Sequence, residues 1–166
     1  LRANEAANRV PAAAPGAIAG ALGLSEDDLA GAPLWVSTGT EQLIVPLKTK
    51  EAVARVTAPF DRLSEVTRDG PRANAYVFAP LGEGRLVARY FFSRTGGMIE
   101  DPATGSATSN LGGFLLAHGN PAPAVFHIDQ GAQAGRPSAL RLRLDESRRI
   151  HVAGEVIELG RGHVNL

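Results

Sequence analysis

The segment that decides the fold is residues 105–119, with the sequence GSATSNLGGFLLAHG. It contains no charged residue, and small or apolar side chains occur on nearly every side of the helix that it predicts from Gly105 to His118. A helix without a polar face belongs in a protein interior, and its glycines allow neighbouring backbone to come close. Gly119 predicts the end of the helix. We therefore expect one central buried helix with the rest of the chain arranged around it.

Short segments rich in β-branched and aromatic residues surround this helix in the sequence, and several are bounded by glycine or by turn residues. The predicted strands are 34–38, 42–47, 75–78, 86–92, 124–129, 139–144, 150–153 and 155–159. No alternation of strand, helix and strand is evident, which argues against a Rossmann sheet. The fold class that we expect is α+β, with a curled, mostly antiparallel sheet or barrel wrapped around the central helix.

The remaining segments predict shorter helices at the beginning of the chain. Residues 15–22, 49–56 and 59–67 have helical patterns, and Ser25 followed by acidic residues resembles an N-cap. Residues 1–14 are rich in alanine and read as a linker. We expect residues 15–166 to form a single domain.

Composition excludes several classes of function. The 166 residues carry 17 basic and 17 acidic side chains, and the basic ones are dispersed, so no nucleic-acid or membrane surface is expected. Arg141 and Arg143 alternate with leucines and predict the solvent side of a strand. There is no cysteine, which excludes disulfides and thiol chemistry and fits a cytoplasmic location. His127, His151 and His163 lack the spacing of metal ligands, so we expect no metal site.

The start of the central helix is the candidate functional site. The unpaired N–H groups of a helix N-terminus attract anions, and the small residues Gly105 and Ser106 would let a ligand come close. Thr104 and Ser106 add hydroxyl groups, and Asp101 can carry a proton beside them. Aspartate and threonine before a helix are also ordinary caps, so the residues by themselves leave a ligand site and a structural cap both open.

Two motifs resemble those of the phenazine-biosynthesis isomerase-like family. The first is Glu100-Asp101-Pro102-Ala103-Thr104-Gly105-Ser106-Ala107, followed by a helix of small residues. The second is Gln130-Gly131 with Gly135-Arg136-Pro137-Ser138 and Leu140. The similarity covers about residues 17–162 and corresponds to the C-terminal half of a family member. We expect the Gly-Arg-Pro turn of the second motif to be structural, and His118 to cap the end of its helix.

The resemblance implies the fold of diaminopimelate epimerase, in which two similar halves each wrap a sheet around a helix and the active site lies between them. It implies an isomerase that moves a proton on a small carboxylic acid without a metal or an organic cofactor. Asp101 matches the active-site acid, and Gly105 and Ser106, with Thr104 beside them, match the turn that holds the substrate carboxylate. Glu100 and the segment Ser37-Thr38-Gly39 are further candidates for the cleft.

The resemblance also implies that the chain holds half of an active site. The family's general base is a glutamate in the N-terminal half, which also contributes a Gly-His pair, and Glu5 does not match that glutamate. The expected partners are therefore this N-terminal half and a small carboxylic acid, and a homodimer is compatible with the resemblance. Residues 1–14 would then lead from the N-terminal half. An epimerase, racemase or dehydratase of the same superfamily, and a non-catalytic binding half-domain, are the alternatives.

Overall fold

A computed structural model describes residues 1–95, 97–155 and 159–162 of the chain. Nine strands form one sheet, and four α-helices pack against it. The strands are β1 Ala7–Arg9, β2 Leu34–Ser37, β3 Glu41–Pro46, β4 Asn74–Gly82, β5 Arg85–Arg94, β6 Gly97–Asp101, β7 Ala124–Gln130, β8 Ser138–Leu144 and β9 Ile150–Gly154. The helices are α1 Pro15–Ala21, α2 Lys50–Arg55, α3 Phe60–Val66 and α4 Gly105–Ala117, and Glu26–Asp28 form a single 3₁₀ turn after Ser25.

Strands β2 to β4 are buried on both faces of the sheet. Consecutive side chains of a strand point to opposite faces, so alternate residues of these strands pack into two different cores. Trp35, Leu43 and Val77 pack outward against α1, α2 and α3. Their neighbours Val36, Ile44, Tyr76 and Phe78 pack inward against α4 and belong to a second core with β5, β7, β8 and β9. The α+β class, the curled sheet and the central helix predicted from the sequence are thus confirmed.

The sheet runs in the order β1-β2-β3-β4-β5-β7-β8-β9, with β6 paired to β5 outside this path. Most neighbours are antiparallel, but β3 pairs with β4 and β5 pairs with β7 in parallel. The first parallel pair is joined through α2 and α3, and the second through β6 and α4. The sheet is thus mostly antiparallel, as expected, and is not a Rossmann sheet. The two parallel crossovers were not evident from the sequence, because hydrophobic patterns identify strands but do not give their pairing direction.

Residues 1–9 pack along the sheet and hydrogen-bond to it. The expectation of a linker over residues 1–14 is therefore corrected for residues 1–9. Strand β1 pairs with β2, while Arg2 bridges to His151 in β9 and Ala3 N–H donates to the Ile150 carbonyl at 2.9 Å. One short segment thus contacts both ends of the curled sheet. It also covers α4, since a Cβ added at Gly113 would lie 2.5 Å from the Cβ of Ala6.

An ion-pair cluster fixes this segment to the sheet. Arg9 donates two hydrogen bonds to the carboxylate of Glu41, at 2.9 and 2.8 Å, and another to Asp69 Oδ2 at 2.7 Å. Asp69 also accepts from the indole N–H of the fully buried Trp35. Burial of Asp69 favours its neutral form, but the Arg9 guanidinium and hydrogen bonds from backbone N–H groups, including that of Ala12, together offset this and hold the pKa of the carboxyl below its usual range.

Several expectations concern residues that lie outside this description. The predicted strand 155–159 includes three such residues, 156–158, and His163 also lies outside the described residues. Among the helices of the described part of the chain, none combines the length and the apolar character needed to cross a bilayer.

Candidate active site

Helix α4 begins at Gly105, directly after the turn that follows β6. Thr104 has extended backbone angles and is the N-cap. Glu100 and Asp101 end strand β6, which was not among the predicted strands. No side chain of the described residues caps the first N–H groups of the helix, and Gly105 and Ser106 are exposed. These donors are therefore free to bind an anion.

A cleft of about 320 Å³ opens at this helix start. Gly105 and Ser106 line one side, and Thr38, Gly39 and Thr40, which connect β2 to β3, line another. The remaining lining residues are Leu1, Arg2, Ala3, Asn4, Ser109 and Val152. Four of the sequence-predicted residues, Thr38, Gly39, Gly105 and Ser106, are thus brought together. Ser37 is not among them.

A buried asparagine holds the two walls of this cleft together. Asn110 is fully buried, and its Oδ1 accepts from the backbone N–H and the hydroxyl of Thr38, both at 2.8 Å. Its Nδ2 donates to the Thr40 carbonyl at 2.8 Å and to Gln42 Oε1 at 2.6 Å. All four hydrogen-bonding positions of the amide are used. The β2–β3 turn is therefore fixed relative to α4.

Gln42 extends this network to the helix start. Its Nε2 donates to Ser106 Oγ at 3.1 Å and to the Tyr90 hydroxyl at 3.3 Å. Because the Ser106 oxygen accepts this hydrogen bond, its own proton is available to a ligand in the cleft. Sequence reasoning missed Gln42, Asn110 and Ser109, although three consecutive polar residues, 108–110, inside an otherwise apolar helix indicate buried hydrogen bonds.

Asp101 lies at the end of β6 and is held by the residue that caps α4. Its Oδ2 accepts a hydrogen bond of 2.6 Å from the Thr104 hydroxyl. Within the described residues its carboxylate makes no ion pair and no other side-chain hydrogen bond, so Oδ1 is unoccupied by protein groups. Asp101 is half-buried and is not among the residues that line the cleft.

Thr104 has a different environment from the one that we expected. The residue is buried, its hydroxyl donates to Asp101, and the oxygen accepts from Gln130 Nε2 at 3.0 Å. Because the single hydroxyl proton is already used, Thr104 cannot also donate to a ligand. A substrate-binding role for Thr104 stays a prediction, and in this structure its hydroxyl contacts Asp101 and Gln130.

A sequence model of the phenazine biosynthesis-like protein family matches residues 8–162, which include Asp101 and the part of the cleft formed by Thr38–Thr40 and the start of α4. The chain belongs to this family. It is 35% identical to an uncharacterized isomerase of Pasteurella multocida over 143 residues, which cover 86% of this chain and 47% of that protein. It is 37% identical over 90 residues to trans-2,3-dihydro-3-hydroxyanthranilate isomerase of Pseudomonas chlororaphis, covering 51% of this chain and 32% of that enzyme.

Solved structures agree with this membership. A structure described as a predicted epimerase from Pseudomonas aeruginosa is 29% identical and has a TM-score of 0.74, with 98% of this chain and 57% of that chain covered. A family member from Bacillus anthracis, 22% identical, has a TM-score of 0.75 over 92% of this chain and 56% of that one, which shows the shared fold. The chain spans about half the length of the curated relatives that it matches.

The first family motif also contains a buried ion pair. Arg89 in β5 donates to both carboxylate oxygens of Glu100, at 2.9 and 2.8 Å, and their side chains are only 9% and 16% exposed. The Nη1 of Arg89 donates to the carbonyls of Val53, Ala54 and Val56 at the end of α2. Glu100 is therefore occupied by a structural contact, and the geometry does not offer its carboxylate to the cleft.

The second family motif packs directly against the first. Gly131 has a φ of +85°, and a Cβ at this position would collide with the carbonyl oxygens of Arg136 and Pro102. Pro102 belongs to the first motif, so a side chain at position 131 would separate the two. The turn also uses the Arg136 N–H, which donates to the Gly131 carbonyl at 2.9 Å.

We predict that Gly131→Ala destabilises the chain more than Gly135→Ala does. Both glycines have positive φ, +85° and +74°, so each alanine introduces roughly 1–2 kcal/mol of backbone strain. Only at Gly131 does backbone occupy the place of the new Cβ, whereas nothing lies within 4 Å at Gly135. Urea denaturation of both variants measures the difference. Equal losses of unfolding free energy in the two variants would show that the close contact with the Pro102 backbone does not affect stability.

The three histidines of the described residues have separate surroundings. His118 ends α4, where its Nδ1 lies 2.9 Å from the Phe114 carbonyl and its ring stacks on that phenyl group. His151 contacts Asp145 at 2.8 Å, and His127 is exposed on β7. Among the residues that the structure describes, no three histidine, aspartate or glutamate side chains come together as metal ligands do.

A larger cavity of about 980 Å³ lies at the other end of α4. It is bounded by the N-terminal segment, by Leu116 and Ala117, and by the turn from Ser147 to Ile150. The carbonyl end of a helix disfavours an anion, so this cavity lacks the helix N-terminus present at Gly105, although Arg2, Arg148 and Arg149 line it.

Proposed function

We propose that this chain supplies one half of an isomerase active site that moves a proton on a small carboxylic acid. The observation that carries this proposal is the cleft at the start of α4, where exposed N–H groups, the Ser106 hydroxyl and the Thr38–Thr40 turn converge. Arg2 is the one charged side chain among its lining residues in the described part of the chain. Such a cleft favours a carboxylate, and it favours even more the extra negative charge that develops on a carboxylate as a neighbouring carbon loses its proton.

In this proposal Gly105 and Ser106 hold the carboxylate and Asp101 transfers the proton. Helix α4 has 13 residues, so its dipole adds to the N–H groups at the binding end. Asp101 lies shortly before Gly105, where the helix begins. One oxygen of its carboxylate accepts a hydrogen bond from Thr104, and the other has no protein partner among the described residues. A fixed carboxyl group with one free oxygen can accept a proton or return it to a carbon.

The second proton-transfer group belongs, in this proposal, to the half of the family member that precedes this chain. The relatives are about twice as long as the matched region, which leaves room for a second domain of similar size. Moving a proton from one carbon to another, or from one face of a carbon to the other, uses an acid and a base, and no metal or organic cofactor is required. The cytoplasmic location and the homodimer expected from the sequence stay part of this proposal.

The relative from Pseudomonas chlororaphis suggests the substrate class. That enzyme is named for trans-2,3-dihydro-3-hydroxyanthranilate, a small cyclic carboxylic acid, which we therefore choose as the probe acid. Epimerisation is a second candidate, since a structural neighbour covering 98% of the chain is described as a predicted epimerase. The two reactions differ in whether the proton returns to another carbon or to the same carbon.

The experiment is solvent deuterium uptake by the probe acid in the presence of the complete enzyme. We expect deuterium to enter at one carbon, and NMR shows whether a double bond has moved or a stereocentre has inverted. The chain by itself should give little exchange, because a positioned base contributes about 10²- to 10⁴-fold in rate. Robust deuterium exchange catalysed by the isolated chain would refute the proposal that the chain holds only half of the active site. No exchange with the complete enzyme would favour the non-catalytic alternative.

Replacing Ser106 by alanine is expected to weaken binding of the probe acid by about 0.5–1.5 kcal/mol, the net value of one hydrogen bond, because the backbone N–H groups remain. Isothermal titration with the complete enzyme measures this change. Ser138→Ala is the matched control, since that hydroxyl donates to the Arg136 carbonyl away from the cleft. Unchanged affinity for the Ser106 variant would remove the hydroxyl from the site.

A further inference from the structure

Gln130, the last residue of β7, reaches both Asp101 and the residue that orients it. The side chain is only 3% exposed, and its Nε2 donates to the backbone carbonyl of Asp101 at 2.7 Å and to Thr104 Oγ1 at 3.0 Å. It lies 29 residues from Asp101 in the sequence. The contact therefore depends on the fold and is not a local turn.

The sheet explains how the two positions meet. Strand β5 pairs with β6 along one part of its length and with β7 along another, so that Tyr90 lies opposite Asp101 and Ala88 opposite Gln130. The turn after Gln130 then passes over Pro102, at a distance that only glycine allows at position 131. The end of β7 is consequently held against the end of β6.

The hydrogen bonds around Thr104 fix the direction of its hydroxyl proton. An amide N–H can only donate, so the Gln130 contact occupies the Thr104 oxygen as an acceptor. The single hydroxyl proton is then directed to Asp101 Oδ2, at 2.6 Å. A hydroxyl that donates to a carboxylate is a short, charge-assisted hydrogen bond, and it leaves Asp101 with one defined orientation.

We propose that Gln130 is the positioning residue of Asp101 and acts on it through the Thr104 hydroxyl. This inference rests on the proposed function, in which Asp101 transfers the proton. It gives Gln130 and Gly131 of the second family motif a role in catalysis, namely to hold the proton-transfer group of the first motif in the orientation that presents its free oxygen. Gln130 itself contacts no substrate.

The test compares four variants of the complete enzyme by deuterium uptake into the probe acid. Gln130→Met and Thr104→Val keep the side-chain shapes but remove the hydrogen bonds, and each is expected to lower kcat by roughly 10- to 100-fold with KM unchanged, because a misplaced reacting group costs up to about 10²-fold. The double variant should be no slower than Thr104→Val alone, since Gln130 acts through that hydroxyl. Thr104→Ser, which keeps the hydroxyl, should retain most of the activity.

Crystal structures of the same variants give a measurement that needs no turnover. We expect the Asp101 carboxylate to leave its wild-type orientation, or to occupy more than one, in Gln130→Met and in Thr104→Val. The inference is overturned if both variants keep the carboxylate in place, if kcat is unchanged in folded Gln130→Met, or if the two losses multiply in the double variant. Asp101→Asn separates the two proposals, because an active Asp101→Asn enzyme would instead remove the proposed function.

Discussion

Replacing Asp101 by asparagine is expected to lower the turnover of the complete enzyme at least about 10²-fold, with little change in KM. Asparagine keeps the shape of the side chain, and its oxygen can still accept the 2.6 Å hydrogen bond from Thr104, so the start of α4 should stay intact. What is lost is the group that exchanges a proton. The carboxylate-binding N–H groups of Gly105 and Ser106 are untouched, which is why the effect should fall on kcat.

The matched control is Asp129→Asn. Asp129 is the next-to-last residue of β7 in the same sheet, but its side chain is 49% exposed and pairs with Arg85 on the surface. This variant should turn over at the wild-type rate. If Asp101→Asn were equally fast while circular dichroism showed an intact fold, Asp101 would only stabilise the turn before α4, and the non-catalytic interpretation of the chain would be favoured.

The largest expected effect on stability follows from the loss of Arg89. Removing its guanidinium leaves the carboxylate of Glu100 buried without a partner and takes the donor from three carbonyls at the end of α2. Breaking a buried pair in this way costs about 3–5 kcal/mol. We expect Arg89→Met to lose stability in this range, measured as the free energy of unfolding in urea.

Two further variants identify the source of this loss. In the double variant Arg89→Met, Glu100→Met part of the stability should return, because no unpaired charge remains. Arg85→Met breaks the exposed pair with Asp129, in which the side chains are 58% and 49% exposed, and should cost less than about 1 kcal/mol. A similar small loss for Arg89→Met would mean that the pair with Glu100 behaves as a surface contact.

The main elements of the fold could be predicted because each follows from a local pattern. The charge-free segment predicted α4 from Gly105 to His118, and the structure has Gly105–Ala117 with His118 as the C-cap. The hairpin β4–β5 and the strands β7 to β9 follow from alternating and β-branched residues in the same way. Residues 1–14 were misjudged, because alanine and asparagine carry no strand pattern and β1 is held by Arg9 and by pairing with β2.

The candidate site was predictable to a smaller extent. The motif 100–107 identified the start of α4, and the position of Thr38 and Gly39 in the cleft is consistent with the expectation drawn from the resemblance. The same motif offered Asp101 as the acid, Thr104 as a substrate-binding hydroxyl and Glu100 as a further candidate, but the structure pairs Glu100 with Arg89 and directs the Thr104 hydroxyl to Asp101. Arg89 lies in β5, and Gln130, which also binds the Thr104 oxygen, lies in β7, so no local pattern could reveal these two partners.

The sequence by itself determined most of the secondary structure, though not β1 and β6, together with the buried character of α4 and the position of the helix start, since these depend on neighbours along the chain. Only the tertiary structure decided which polar groups of the motifs remain free for a ligand. Buried polar groups usually find partners, and Asn110, the Gln130 Nε2 and Arg89 find theirs on other elements of the fold, while Gln130 Oε1 is buried without a partner among the described residues. The N–H groups at Gly105 and Ser106 and one oxygen of Asp101 are left for a ligand, and this is a property of the folded chain.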